Sequence, residues 1–235
     1  MKSNVITMLI VILAFSSLLT GCKTINPDKD KLSSGKITSP GDTSNSKELW
    51  LNPELYFIQK SAIKGIPAED IKKEEIEKMK ATYKRENPAQ EGVTTNELLA
   101  GFAYFTTFAT DEVLNSREYG IKLAYGLTAR VFKNDSKIFF DEIIGASIMP
   151  EGDTNFTCSW NGTITSDINP LDRTKAVVIG SGNIFVNVDQ NAPPSLIAEL
   201  EKNGFQFSTL TSDKKKVYYK WHSINHDFQV GQGSK

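Results

Sequence analysis

The chain is poor in the residues that do chemistry or form covalent staples. Its 235 residues hold two cysteines, Cys22 and Cys158, and two histidines, His222 and His226. Two cysteines allow at most one disulfide, and so few thiols and imidazoles leave little for a protein-only zinc site, which takes three or four N, S or O ligands. Excess charge of either sign is also missing. Lys and Arg number 27 against 28 Asp and Glu, a formal net charge of −1. That balance excludes the basic footprint of a dedicated nucleic-acid binder and argues against a surface drawn electrostatically to anionic lipid. No internal repeat and no long low-complexity tract appears in the later part.

The one long apolar run stands at the start. Lys2 is followed by Val5 to Leu19, interrupted by Thr7, Ser16 and Ser17, and then by the small pair Gly21-Cys22. This is the layout of a secretory signal peptide. The run is short for a spanning helix, which needs about 20 residues to cross roughly 30 Å of hydrocarbon. The tetrad Leu19-Thr20-Gly21-Cys22 resembles the lipobox of bacterial lipoproteins. The resemblance covers only the first 22 residues. It implies diacylglycerol on the Cys22 sulfur, cleavage before Cys22, and acylation (palmitate) of the new amino terminus. Lys23, where an Asp would favour inner-membrane retention, implies by the same resemblance the outer membrane. With Cys22 consumed by lipid, Cys158 has no disulfide partner, and stability must come from the core.

Residues 23–47 are rich in Lys, Ser, Thr, Asp and Gly, with Pro27 and Pro40 and few apolar side chains. Such a composition cannot bury enough surface to offset the entropy of ordering. About 25 residues of this kind span roughly 25–30 Å as a flexible coil. The organisation read from the sequence is therefore residues 1–21 as signal peptide, 22–47 as lipidated cysteine and tether, and 48–235 as a single globular domain.

Within that domain, Asn52-Pro53-Glu54 is a helix start with a capping side chain, proline at the first position and an acid in the first turn. The helix should end at Lys64-Gly65. A second helix is predicted over 67–85, with a stripe of Ile71, Ile76, Met79 and Tyr83 and a solvated face of Glu–Lys pairs. Thr94 and Glu97 form a capping-box pattern, and Leu98, Phe102, Phe105, Ala109 and Val113 continue it at helical spacing. From Tyr119 the pattern alternates through Ile121, Leu123, Tyr125 and Leu127. A turn at 133–136 and a return over 138–148 predict an antiparallel hairpin. Asn161-Gly162 predicts a second hairpin turn between strands 155–160 and 163–168. Gly180-Ser181-Gly182 reads as a turn or bulge between short strands 176–179 and 184–188. A late helix follows Pro193-Pro194 and ends at Gly204, and 217–221 form a last strand. The fold class is α+β, with helices in the first half of the body, a mostly antiparallel sheet in the second, and one late helix packed on it.

Candidate chemistry is sparse. His222 and His226 lie four apart, but the metalloprotease pattern needs Glu after the first histidine, where Ser223 stands; they read as partly exposed tail residues. Gly180-Ser181-Gly182 lacks the following helix of a phosphate loop or nucleophile elbow. Asp111-Glu112 and Asp141-Glu142 are paired acids of the kind that run glycoside hydrolysis at suitable separation, or are solvated strand ends. Cys158 beside Trp160 reads as a buried inert thiol. Lys214-Lys215-Lys216 reads as a hairpin tip, and Phe102, Phe105 and Phe108 as core. No catalytic, cofactor or metal residue is assigned; Cys22 is the one residue with a chemical fate. The leading functional reading is a lipid-anchored, non-catalytic binding or assembly module of the cell envelope. It has the membrane, through Cys22, and an envelope protein as partners, and no nucleic acid. The alternatives are an envelope-polymer hydrolase using the paired acids and a carrier of a small apolar ligand.

Overall fold

Asn52 begins the first helix as its side chain suggests: its Oδ1 accepts from the Leu55 amide at 2.8 Å. Helix α1, Pro53–Lys64, ends at Gly65, whose φ of +64° is left-handed and whose amide donates to Ser61 O. These residues belong to a computed structural model that describes residues 47–152, 156–211 and 214–231. The segment expected to be a signal peptide, the Leu19–Cys22 tetrad and nearly all of the expected tether lie outside the described residues.

Residues 52–100 form one compact unit. It contains α1, α2 (Ala68–Glu86) and α3 (Thr95–Ala100). The buried stripe of α2 is Ile71, Glu75, Met79 and Thr82 rather than the fully apolar one expected; Ile76 and Tyr83 are half-buried. The stripe is rotated because Glu75, fully buried, is met by Lys60 of α1 at 2.9 Å and by Lys78 at 3.5 Å. A charge in that position persists only when paired. The Thr94–Glu97 capping box is formed: the Thr94 amide donates to Glu97 Oε2 at 2.9 Å and the Glu97 amide to Thr94 Oγ1 at 3.2 Å.

The helix predicted over 98–113 stops at Ala100. Gly101 ends it, and β2 (Phe102–Asn115) follows. The Phe-, Tyr- and Thr-rich run satisfies its backbone by antiparallel pairing with β1 (Lys47–Leu51) on one side and β3 (Gly120–Lys133) on the other. Helical spacing of its aromatics was outweighed by those long-range ladders and by strand-favouring side chains.

The second unit joins residues 47–51 to 101–231. It holds two four-stranded antiparallel sheets. The first runs β1-β2-β3-β4, with β4 Ile138–Gly152; the second runs β5-β6-β8-β7, with β5 Phe156–Ile168, β6 Lys175–Val188, β7 Gln206–Leu210 and β8 Lys216–Gln229. The β3–β4 hairpin falls where the sequence put it. Asn134 Oδ1 closes its turn by accepting from the Ser136 and Lys137 amides at 3.1 and 2.8 Å. One hydrophobic core spans both sheets. Ile121, Leu123, Tyr125, Leu127 and Val131 fill it from β3, all buried and all of one parity. Even-numbered residues of β6 and β8, such as Val178, Val186, Ile224 and Phe228, fill it from the second sheet. Helix α4 (Pro194–Lys202) adds Leu196 and Leu200, and Gly204, at φ +83°, turns the chain so that Phe205 joins them.

Three further sequence expectations in this unit are corrected. Asn161-Gly162 is not a turn: β5 runs through it. Gly180-Ser181-Gly182 is not a turn either: β6 is continuous from Lys175 to Val188. The two features explain each other. Gly162 lies opposite Gly182, and a Cβ on Gly182 would fall 2.5 Å from the Gly162 Cα. The glycines permit a close backbone approach, the alternative meaning of glycine inside a strand. The last strand runs on to Gln229, so both histidines lie in it.

Candidate functional site

The histidines are not tail residues. With side chains at alternate positions of β8, His222 and His226 share the parity of Ile224 and Phe228 and point between the sheets. Their four-residue separation on a strand is about 13 Å, where a shared zinc would need both nitrogens at about 2 Å. They are instead the ends of a hydrogen-bonded chain. His222 Nε2 lies 3.3 Å from Asp111 Oδ2, Tyr125 OH donates to Asp111 Oδ1 at 3.0 Å, and His226 Nδ1 lies 3.4 Å from Tyr125 OH. The phenol has one proton and gives it to Asp111, so the His226 contact requires the Nδ1–H tautomer. Burial lowers the His226 pKa, against the opposing influence of Asp111 and Asp227, and burial with the Asp111 bond raises that of Tyr125. Neutral His226 and neutral Tyr125 are thus the native forms. The chain ties β2 and β3 of one sheet to β8 of the other.

The second acidic pair is also committed. Asp141 sits at a β-bulge, since Val131 opposes Phe140 while Arg130 opposes Glu142. The bulge turns Asp141 toward Arg130, and both are about 3% exposed. Arg130 Nε donates to Asp141 Oδ2 at 2.7 Å, and its Nη1 reaches Glu142 Oε2 at 2.9 Å. Burial opposes the guanidinium charge, but the Asp141 carboxylate outweighs it and holds the Arg130 pKa above its ordinary value. Arg173 approaches Asp141 Oδ1 at 3.7 Å and stacks over Phe139 at 4.2 Å. Beside it, residues 136–139 and 171–174 border a surface hollow of about 470 Å³. Asp111 pairs with Leu123 and Glu142 with Arg130, seven residues along β3, so the two acidic pairs stand about 23 Å apart. Glycosidase carboxylates stand roughly 5–9.5 Å apart. The structure brings Asp111 to the histidines and Asp141 to the arginines, and does not bring the pairs together. Tyr125 and Arg130 were not singled out by the sequence. The signal for Arg130 was its place in the β3–β4 hairpin opposite an acid.

The remaining sequence candidates are placed simply. Cys158 lies on the inner side of β5, its thiol pushed up to about 12 by burial and so unreactive near neutrality. Phe102 and Phe105 are buried, as core residues should be, whereas Phe108 is only half-buried. Lys214 and Lys215 lie in the β7–β8 connection, where the Thr211 amide donates to Lys215 O. Ser181 is mid-strand on the outer side of the second sheet. Among the described residues no group of three His, Cys, Asp or Glu side chains is placed to hold a metal, and no helix is long and apolar enough to cross a membrane.

The outer side of the second sheet has an organisation of its own. Register across β5, β6 and β8 sets its side chains in rows. One row is Asn161, Asn183 and Trp221. The next toward the start of β8 is Ser159, Phe185 and Tyr219. On the other side lies Thr163, Ser181 and Ser223. Trp221 is 63% exposed. Phe185 and Tyr219 rings lie 6.3 Å apart, and Tyr219 OH donates to Gln206 Oε1 at 2.8 Å, which fixes its ring. Thr163 and Ser181 hydroxyls lie 3.3 Å apart. Five alternate positions on each strand, 157–165, 179–187 and 217–225, carry no formal charge, and all of them but the buried Val217 are at least partly exposed. The chain is 23% charged, and a surface of average make-up would place about three charges there. Comparison with protein-family models, with curated proteins and with solved structures finds no match.

Proposed function

We propose that this chain is a lipid-anchored protein of the bacterial cell envelope, held by acyl groups on Cys22 at the outer membrane, and that its α+β body, with helices early and a helix packed late on an antiparallel sheet, serves as a non-catalytic binding or assembly module. The leader and the Leu19–Cys22 tetrad support the address. Several acyl chains make such an anchor durable where one would be marginal, and the tether gives the body reach. The binding role is carried by one observation: an exposed, uncharged sheet face with a protruding tryptophan. Water-exposed sheet surface ordinarily carries charge, and a contiguous face with none and with an exposed tryptophan beside two half-buried aromatic rings marks a contact surface.

The ionisable groups nominated for chemistry are held by internal partners that tie strands together. Asp111 accepts from Tyr125, and Asp141 from Arg130. Two measurements test the proposal. Mass analysis of the processed amino-terminal peptide should find acylated Cys22, and Cys22→Ser should release the protein from the membrane fraction. A photocrosslinking residue at position 221 should capture an envelope component in intact cells, while one at 171, at an exposed loop tip, should not. Unmodified Cys22, or equal capture at both positions, would refute it.

A further inference from the structure

We propose that the occupant of the outer face of the second sheet is a neutral glycan chain, with Trp221 stacking on a sugar ring and Asn183 and Asn161 hydrogen-bonding its hydroxyl or acetamide groups; this rests on the reading of the chain as a binding module and names its ligand class. Three features of the face select that chemistry.

The first is charge. A face with no formal charge over five rows offers nothing to phosphate, to anionic lipid or to an acidic or basic peptide, each of which is recognised through ion pairs and charge-assisted bonds. A neutral ligand loses nothing on such a surface. The second is the pairing of residue types. A pyranose ring has an apolar C–H face and a polar rim. An exposed indole gives the apolar face a flat rigid partner. The amides beside it give the rim what it needs, since each Asn side chain carries two donors and an acceptor oxygen in one plane. Here they are in register: Trp221 lies directly across from Asn183, and Asn183 across from Asn161. Neighbouring strands lie about 4.8 Å apart, and successive same-side residues about 6.6 Å. One ring over Trp221 therefore has amides on one flank, the Phe185–Tyr219 pair along the strand and the Ser181–Thr163 hydroxyls on the other side. The third is size. The uncharged area spans three strands and about eight residues, roughly 14 by 26 Å, or ~370 Å². A stable protein interface takes about 800 Å² from each partner. The face is too small to hold a second copy of this chain by itself. It is long enough for a chain of a few sugars lying along it.

A single weak site gains from the anchor. A body held on the membrane by Cys22 meets a fixed polymer at high effective concentration, so modest affinity suffices.

The test uses the detergent-solubilised full chain and two soluble probes, the β-1,4-linked tetrasaccharides of N-acetylglucosamine and of glucose, titrated calorimetrically. Saturable binding of at least one is expected. Trp221→Ala and Asn183→Ala should each weaken it at least about tenfold. Trp221→Tyr, which keeps a ring, should recover most of the loss. Leu171→Ser, at a loop tip that is 97% exposed, should change nothing. Circular dichroism of each variant separates lost binding from lost folding. Absence of saturable binding to both sugars, or binding that both Trp221→Ala and Asn183→Ala leave intact, overturns the proposal. So does self-association of the wild-type chain that Trp221→Ala abolishes, because a second copy would then be the occupant. Capture of an envelope protein from position 221 together with failure of both sugars would overturn the glycan and leave the binding module standing.

Discussion

Replacing Asp141 by Asn isolates the cost of one buried charge. Arg130 and Asp141 are each about 3% exposed, and the carboxylate meets the guanidinium at 2.7 Å through two nitrogens. The amide of Asp141→Asn would keep the side-chain shape and an acceptor oxygen but remove the negative charge. Arg130 would then keep Glu142, which is 39% exposed and meets its Nη1 at 2.9 Å. Breaking a buried pair from one side typically costs about 3–5 kcal/mol. The surviving Glu142 contact places Asp141→Asn at the low end, about 3 kcal/mol, or roughly 10 °C in the melting temperature of a unit this size. Glu142→Gln removes a half-exposed partner and should cost under about 1 kcal/mol. The double change Arg130→Met, Asp141→Leu removes both charges and should recover most of the loss. The assay is urea unfolding followed by tryptophan fluorescence. Trp50, Trp160 and Trp221 all lie in the sheet-containing unit, so fluorescence reports that unit and far-ultraviolet dichroism reports the helices as well. Equal costs for Asp141→Asn and Glu142→Gln, or a cost for the former well below the usual range for a broken buried pair, under about 0.5 kcal/mol, would refute the picture of Arg130 as a buried cation held by Asp141.

Two further outcomes follow from the same physics. His226 has a lowered native pKa, so the unfolded chain takes up its proton first as pH falls through about 6.5. The stability this residue supports is full above that pH and declines as pH falls toward the native value; His226→Gln should flatten the fall of the urea midpoint as pH drops below about 6.5, whereas the lowered carboxyls Glu74, Glu97 and Asp172 act only below their usual range near about 4. Gly182→Ala puts a methyl 2.5 Å from the Asn161 oxygen and the Gly162 Cα, backbone atoms that cannot rotate aside, and should cost about 1–3 kcal/mol by the same unfolding assay, whereas Gly145→Ala, which meets nothing within 4 Å, should cost far less.

Local signals carried the helices and the first hairpin well. Asn52, Gly65, Thr94 and Glu97 mark helix ends through bonds to their own neighbours, and such bonds are written in adjacent residues. The alternation from Ile121 to Val131 named the inner side of β3 because period two needs no knowledge of the partner. What failed was long-range. Leu98 to Val113 sets helical spacing against strand-favouring Phe, Tyr and Thr, and only pairing with β1 and β3 chose between them. Asn161-Gly162 and Gly180-Ser181-Gly182 have local turn chemistry, but Gly162 and Gly182 face each other across the β5–β6 ladder, and that mutual approach is what the glycines serve. The site was legible in part. Asp111, Asp141, His222 and His226 stood out by type, yet their partners Tyr125 and Arg130 are set by register and a bulge. Trp221 looked like the end of a strand. It became the centre of a face once Asn183 and Asn161 were in line with it.

Whether the face around Trp221 is covered in its native surroundings can be read by oxidative footprinting of that side chain. Brief hydroxyl-radical labelling of intact cell envelopes and of the purified full chain in detergent, read peptide by peptide, compares the same residue with and without its surroundings. Trp221, 63% exposed in the protein itself, should be protected in the envelope while Leu171 labels equally in both. Equal labelling of Trp221 in the envelope and in detergent would mean that nothing occupies the face, and the binding role would fall with it.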